Sequence, residues 1–201
     1  AIPAGAFDIT LAFGIEKRPR GFMDPSQTYL KWQVEMGLST NPSYWAMSAR
    51  RHMYEYGTTR EQLAYIAVKN HSNGAENPKA HFRRKITVET VLNSPFVAYP
   101  LTLFDCCPTS DGAAVAILCR ADIAKNFTDT PIYVSGFGAA TDCVAAFDRE
   151  SLTRFDSAVI ASRQAYKMAG LEPKDIDLVE LHDCFTISEL VLTEDLGFCE
   201  K

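Results

Sequence analysis

Short apolar runs alternate along this chain with segments whose apolar residues recur at helical spacing. Four runs have the length and composition of buried strands, at 8–13, 113–119, 132–137 and 176–181. Helical patterns lie between them, including one at 156–169 that ends at a glycine. Because strands that alternate with helices usually pair in parallel, the pattern predicts an α/β fold with these strands in two central sheets.

The composition between residues 18 and 99 is different, since polar and aromatic residues and turn signals dominate there. A first helix is predicted over 43–56, where Trp45, Ala49 and Met53 recur every four residues. A second is predicted to open with a capping box at 58–61 and to end near Asn73-Gly74. Its predicted inner face carries Leu63, Ile66, Ala67 and Asn70. We interpret 18–99 as an inserted, mainly helical region.

A polar connector with turn residues at 126–131 marks a domain boundary. We therefore predict a first half formed by 1–17 and 100–127, the inserted region 18–99, and the start of a second half at 128–201. Because the strand predicted at 8–13 follows only a short lead-in, we expect the chain to open in the middle of a fold.

A histidine follows directly after the apolar run 176–181, where a new helical pattern begins and continues to Gly197. Open α/β folds build their active sites at such carboxyl ends of strands. His182 is therefore a candidate catalytic residue, and Asp183 is predicted to cap the helix. A hydrogen-bonded packing role for His182 is the alternative that this local pattern leaves open.

Composition excludes several classes of protein. At 201 residues and 47% hydrophobic content, the chain can bury a substantial core. It has no apolar run of membrane-spanning length and no signal-peptide pattern, which predicts a soluble intracellular protein. The net charge of −5 argues against a nucleic-acid partner. The short basic cluster at 83–85 is either a solvated loop edge or a contact for the phosphates of an anionic cofactor such as coenzyme A.

Six cysteines show neither a repeated Cys-x-x-Cys spacing nor a histidine in metal-ligand register. We expect no metal site and no disulfide framework. Free thiols in a reducing compartment are the expected state.

Two long segments of the chain stand out as motifs. The first is Cys106-Cys107-Pro108-Thr109-Ser110-Asp111-Gly112-Ala113-Ala114, and the second is Ile176-Asp177-Leu178-Val179-Glu180-Leu181-His182-Asp183-Cys184-Phe185. Both resemble motifs of the thiolase superfamily, in particular of the branch of sterol carrier protein x and its bacterial lipid-transfer-protein relatives. Two shorter matches, Ala12-Phe13-Gly14-Ile15-Glu16-Lys17 and Lys69-Asn70-His71, fall in the expected order.

The resemblance implies a thiolase-like fold of two βαβαβ-type halves with a mainly helical loop domain inserted in the first. It spans about the middle half of a typical member. The helix that carries the family's nucleophilic cysteine is expected before residue 1, and a second histidine and cysteine are expected after residue 201. The implied reaction uses no cofactor, since coenzyme A is a substrate or product.

The resemblance also implies roles for individual residues. His182 would donate a hydrogen bond to the enolate oxygen, directly or through a water. Cys107 and Ser110 would lie beside the pantetheine arm of the substrate, or simply form a turn. Tyr99 would line the acyl pocket or pack. Asp183 and Phe185 are expected to be structural residues at the site, and Cys184 a small packing residue rather than a nucleophile.

Three functions remain open at this point. The first is a 3-oxoacyl-CoA thiolase (acetyl-CoA acyltransferase) acting on fatty-acyl or sterol side-chain thioesters. The second is a steroid side-chain aldolase, for which we expect a tyrosine where this chain has His182. The third is a non-catalytic acyl-CoA-binding subunit. The expected partners are an acyl-CoA, a second copy of the chain paired through the first half's sheet, and a small acyl-CoA-binding subunit. The expected location is the cytoplasm, or the peroxisome in a eukaryote.

Overall fold

The computed structural model describes residues 2–18, 30–38, 40–143, 145 and 148–201. The chain divides into two units. One consists of Ala1–Gly21 and Thr109–Ser135, and the other of Phe22–Pro108 and Gly136–Lys201.

The first unit is built on an antiparallel pair of strands, β1 (Ile9–Glu16) and β4 (Gly112–Cys119). The register pairs Ile9 with Cys119 and Glu16 with Gly112, so the odd-numbered residues of both strands share one face. That face is apolar and lies exposed, with Ile117 76% exposed. Its members are Ile9, Leu11, Phe13, Ile15, Ala113, Val115, Ile117 and Cys119. The strands predicted at 8–13 and 113–119 are thus confirmed, whereas their predicted burial is wrong for this face.

The second unit is mainly helical. Its helices are α1 (Lys31–Glu35), α2 (Asn41–Tyr56), α3 (Arg60–Glu76), α4 (Val88–Leu92), α5 (Asp156–Ala169) and α6 (Thr186–Asp195). A short antiparallel pair, β2 (Phe96–Ala98) and β3 (Leu101–Thr102), follows α4. The predicted helical character of 18–99 is confirmed over its described part. Residues 19–29 and 39 of that region lie outside the described residues.

The helix predicted over 43–56 begins two residues earlier, because Pro42 occupies the first turn, where its missing N–H costs nothing. The capping box predicted at 58–61 is displaced by one residue. Thr59 is the N-cap of α3, and its side chain accepts a hydrogen bond from the backbone N–H of Gln62. Gln62 in turn accepts from the N–H of Thr59 at 2.8 Å. Gln62 therefore takes the position in the box that we assigned to Glu61.

The main core of the second unit joins α2, α3, β3 and α6. Its buried members are Ala46, Ala49, Leu63, Leu101, Phe185, Ile187 and Val191. A smaller cluster between α3 and α4 contains Ala64, Ala67, Ile86 and Val91. Leu63 and Ala67 lie on the inner face predicted for the second helix, which confirms that part of the pattern. The core thus anchors the start of α6 next to the segment that carries His182.

The strands predicted at 132–137 and 176–181 do not form within the described residues. Neither run pairs with a described strand, and Ile132 is 95% exposed and Leu178 80% exposed. The parallel pairing that we predicted is also absent from the described chain, where both sheets are antiparallel pairs. Apolar composition makes a run suitable for a buried strand, but a strand forms only when a neighbour satisfies its N–H and C=O groups.

Two glycines allow the segment after Ser135 to lie directly on α5. A side chain at Gly138 would collide with the backbone carbonyl of Ala161, and one at Gly136 with that of Ala165. The N–H of Ala139 donates to Gln164 Oε1 at 3.2 Å along the same contact. Helix α5 then ends at Gly170 in the left-handed conformation, as its pattern predicted.

Among the described residues, no helix combines the length and the apolar composition that a bilayer crossing requires.

Candidate active site

His182 lies between the unpaired run 176–181 and the first turn of α6. Its side chain is exposed, and its ring makes no hydrogen bond to a described residue. Its carbonyl oxygen accepts from Ser188 Oγ at 3.0 Å, which ties the backbone of the turn to α6. The imidazole is therefore presented on a fixed backbone with both ring nitrogens available to a ligand.

The loop at 105–108 lies against this turn and so joins the two long motifs of the sequence. The N–H of Cys107 donates to the carbonyl oxygen of Cys184 at 3.0 Å. Cys106 and Phe185 form an isolated antiparallel bridge. These two contacts pair the backbones of two segments that are almost eighty residues apart in the chain.

Asp105 is the buried anchor of this junction. Its side chain accepts from the N–H and the hydroxyl of Thr102, at 2.7 and 2.8 Å, and from Thr186 Oγ1 at 2.8 Å. The residue is only 5% exposed, so these donors replace the water that a carboxylate would otherwise bind. Thr186 is the first residue of α6, and the bond therefore fixes where that helix starts.

The capping role predicted for Asp183 is wrong. Helix α6 begins at Thr186 and its N-cap residue is Phe185, so Asp183 lies two residues too early to cap it. The Asp183 carboxylate instead accepts a hydrogen bond from Asn70 Nδ2 on α3 at 2.8 Å. The same nitrogen donates to Glu189 Oε2 at 2.7 Å, and Lys69 Nζ pairs with Glu189 Oε1 at 2.7 Å.

Sequence reasoning placed Asn70 on the inner face of a helix and gave it no function. The only sequence feature that pointed to Asn70 was the short match of Lys69-Asn70-His71 to the thiolase superfamily. That signal could not show which residues the amide contacts, because Asp183 is 113 positions away.

The thiols beside the turn are held in the protonated form. Burial, assisted by the nearby Asp105 carboxylate, raises the pKa of Cys106 to about 12. Burial likewise raises the pKa of Cys184 to about 11. The pKa of Cys107 is also raised, by burial and by the Asp183 carboxylate. A thiol acts as a nucleophile through its thiolate, so this environment does not activate these cysteines.

A cavity of about 390 Å³ opens next to the junction. Its lining includes Cys106, Cys107 and Pro108 from the loop, Asp183 from the turn, and Asn70, His71, His81, Phe82 and Phe104. His182 is not part of the lining. Among the described residues, no three histidine, cysteine or acidic side chains are grouped as a metal ion would require.

The remaining site residues named from the sequence are spread over the molecule. The ring of Phe185 is buried and stacks on Trp45 with centroids 5.7 Å apart. Tyr99 is exposed and its ring contacts Phe96. Ser110 belongs to the first unit and Cys107 to the second. The structure therefore brings together Cys107, Asp183, Phe185 and the His182 backbone.

Two thiolase family models match this chain, one on each side of the junction between the Cys107 loop and the His182 turn. The family described as "Thiolase, N-terminal domain" matches residues 1–122, and "Thiolase C-terminal domain-like" matches residues 138–201. The chain belongs to the thiolase family. The loop at 105–108 thus lies in the N-terminal match and His182 in the C-terminal one, so the junction joins the two thiolase domains.

Curated relatives share this thiolase sequence over the whole chain. An acetyl-CoA acetyltransferase of Methanothermobacter thermautotrophicus is 52% identical over 206 residues, covering 100% of the chain and 53% of the relative. Sterol carrier protein 2 of Gallus gallus is 35% identical, covering 100% of the chain and 40% of the relative. The thiolase chain therefore spans about half the length of the curated relatives it matches.

A solved structure shows the same thiolase-like fold. The chain titled "Ltp2-ChsH2(DUF35) aldolase" superimposes with a TM-score of 0.88 at 33% identity, covering 98% of this chain and 54% of that one. The α/β thiolase-like fold class that the motifs implied is thereby confirmed.

Proposed function

We propose that the intact protein is a 3-oxoacyl-CoA thiolase, which transfers an acyl group between a carbon nucleophile and coenzyme A. The observation that carries the proposal is the pairing of the Cys107 loop with the His182 turn, which presents an unengaged imidazole on the residue before Asp183, and Asp183 lines the cavity. Family membership and the printed name of the 52% identical relative support it. Coenzyme A serves as substrate or product, and the proposal requires no further cofactor.

His182 would act on the charge that develops during cleavage. When a thiolate adds to the 3-oxo carbon and the C–C bond breaks, the electron pair moves onto the thioester oxygen of the departing acetyl-CoA. A preorganised hydrogen-bond donor at that oxygen stabilises the transition state by about 3 kcal/mol. The exposed ring of His182, on a backbone held by Ser188, is suited to this role.

The nucleophile is a different group. Cys106 and Cys184 lie in the junction with the His182 turn, but their pKa values of about 12 and 11 keep them protonated near neutral pH. We therefore propose that the family's nucleophilic cysteine is supplied from outside residues 1–201, and that Cys184 is a packing residue. Its contact with the main core supports the second point.

The cavity beside the junction would receive part of the acyl-CoA. Cys107 lines it with a small side chain, which allows a thin pantetheine arm to pass close to the backbone. Arg84 lies nearby, since its guanidinium is 6.0 Å from the ring of Phe104 and its carbonyl oxygen binds His71 Nδ1. We propose that the basic residues at 83–85 bind the phosphates of coenzyme A, and that Ser110 and Tyr99 make further contacts with the substrate. The acyl group would be a fatty-acyl or sterol side chain.

Three broader assignments belong to this proposal. The first is the division into 1–17 with 100–127, 18–99 and 128–201, which we propose from the resemblance to the thiolase architecture. The exposed apolar face of β1 and β4 supports pairing with a second copy of the chain, which sedimentation of the intact protein tests. The free state of the six cysteines supports a reducing location, such as the cytoplasm or a peroxisome.

A carbon–carbon lyase is the second candidate. The aldolase structure at 33% identity and TM-score 0.88 favours it, and its title names a second component, which supports a small partner subunit here. An aldolase cleaves its substrate without attack by coenzyme A. Omitting coenzyme A from the assay separates the two functions, since only the thiolase would then lose activity.

The test is replacement of His182 by alanine in the intact protein, assayed by the thiolysis of acetoacetyl-CoA. We expect kcat to fall by on the order of a hundredfold while KM stays nearly unchanged, because the donor acts chiefly in the transition state. The melting temperature of the variant should equal that of the wild type, since an exposed side chain contributes little to the core.

A packing role would give the reverse result. The variant would then lose ~1 to 3 kcal/mol of stability with turnover intact. A stable and fully active H182A protein would remove His182 from the mechanism.

A further inference from the structure

A single amide group joins the inserted helical region to the turn that carries His182. Asn70 Nδ2, on α3, donates to Asp183 Oδ2 at 2.8 Å and to Glu189 Oε2 at 2.7 Å. Asp183 follows His182 directly, and Glu189 lies in the first turns of α6. Both hydrogens of the amide are thus used, one on each side of the start of α6.

Lys69 fixes the direction of this amide. Its Nζ donates to Asn70 Oδ1 at 2.6 Å and pairs with Glu189 Oε1 at 2.7 Å. An ammonium group can only donate, so the oxygen of Asn70 must face Lys69 and its nitrogen must face the two carboxylates. The Glu189 side chain is 8% exposed, and a carboxylate buried to that extent needs these donors.

The turn at 182–184 is then held at three successive residues. Ser188 Oγ binds the His182 carbonyl oxygen, the Cys107 N–H binds the Cys184 carbonyl oxygen, and Asn70 binds the Asp183 side chain. The first two contacts restrain the backbone at either end. The Asn70 contact restrains the residue between them, and it supplies a donor to each of the two carboxylates.

We propose that Asn70 is a positioning residue for His182, acting through Asp183, and the proposal rests on the thiolase function given above. Asn70 does not touch the imidazole, and its effect is to keep Asp183 in place. Movement of the turn would shift the ring away from the oxygen it stabilises. A displacement of about 1 Å at a reacting group can cost up to ~100-fold in rate.

The experiment is a double-mutant cycle in the intact protein with acetoacetyl-CoA and coenzyme A as substrates. Asn70→Ala should lower kcat roughly 10- to 100-fold with KM nearly unchanged. In the His182→Ala background the same substitution should lower kcat by less than about twofold, because there is no longer an imidazole ring to position. Asp183→Ala, which removes the acceptor for Asn70 at an exposed side chain, should show the same pattern and covers the case in which N70A fails to fold.

Asn73→Ala is the matched control, since Asn73 lies one turn further along α3, is exposed and makes no side-chain hydrogen bond to a described residue. It should keep the wild-type kcat. An equal loss from N70A with and without His182 would show a merely structural role and overturn the proposal. Wild-type kcat in N70A would overturn it while leaving the thiolase function intact. A wild-type protein that cleaves neither acetoacetyl-CoA nor a longer 3-oxoacyl-CoA in the presence of coenzyme A would overturn both.

Discussion

Thr186 Oγ1 donates to Asp105 Oδ1 at 2.8 Å, a bond that joins residues 81 positions apart. Both residues are buried, and the bond connects the end of the loop motif to the first residue of α6. The His182 turn directly precedes Thr186 in the chain. The bond therefore contributes both to the stability of the core and to the geometry of the site.

Replacing Thr186 by valine should lower the free energy of unfolding of the intact protein by ~1 to 3 kcal/mol. Valine has nearly the same shape but cannot donate, so Asp105 would lose one of its buried donors. Denaturant titration measures the change. Thr130→Val, at an exposed residue, is the control and should have no effect. Equal stabilities for T186V and T130V would show that the Asp105 bond contributes nothing net.

Replacing His182 by asparagine should give a kcat between those of the wild type and H182A. An amide retains a hydrogen-bond donor, although that donor lies closer to the backbone than the far nitrogen of an imidazole. Steady-state thiolysis of acetoacetyl-CoA provides the comparison. If H182N is no faster than H182A, then donation alone is insufficient and the ring itself is required.

The protonated state of Cys184 should make stability depend on pH in the alkaline range. Burial raises its pKa from the ordinary 9.0 to about 11, so the folded protein holds this proton more tightly than the unfolded chain. The stabilisation of the folded state that this bound proton contributes is fully present below pH 9.0 and is lost as the pH rises towards 11. Cys184→Ala should reduce the decline in unfolding free energy over this range. The exposed Cys143→Ala serves as control, and the prediction is contradicted if both variants follow the wild-type curve.

Replacing Gly138 by alanine should destabilise the contact with α5. The added Cβ would meet the carbonyl oxygen of Ala161, which belongs to the helix backbone and cannot turn away. Overpacking of this kind typically costs about 1 to 3 kcal/mol. Thermal unfolding measures the loss. Gly14→Ala, where a Cβ meets no atom within 4 Å, should keep the wild-type melting temperature. If the G138A protein melts at the wild-type temperature, the close packing of this segment on α5 is not rigid.

Several elements of this protein were determined by local sequence alone. Apolar residues at helical spacing predicted α2 and α5, and Gly170 ends α5 in the left-handed conformation that glycine favours. The strand runs around Leu11 and Val115 were recognisable from composition, and the two long motifs indicated the thiolase family. These features depend on neighbours within a few residues, which the sequence displays directly.

Other features were decided only by tertiary structure. The runs at 132–137 and 176–181 have the composition of strands, yet they remain unpaired because no described strand lies beside them. Asp183 follows a histidine at a helix start, yet its partner is Asn70 on α3 and its predicted capping role is wrong. The raised pKa of Cys184 comes from burial. Backbone pairing, hydrogen bonding between distant side chains and desolvation all depend on which atoms meet in space, and spacing along the chain does not determine that.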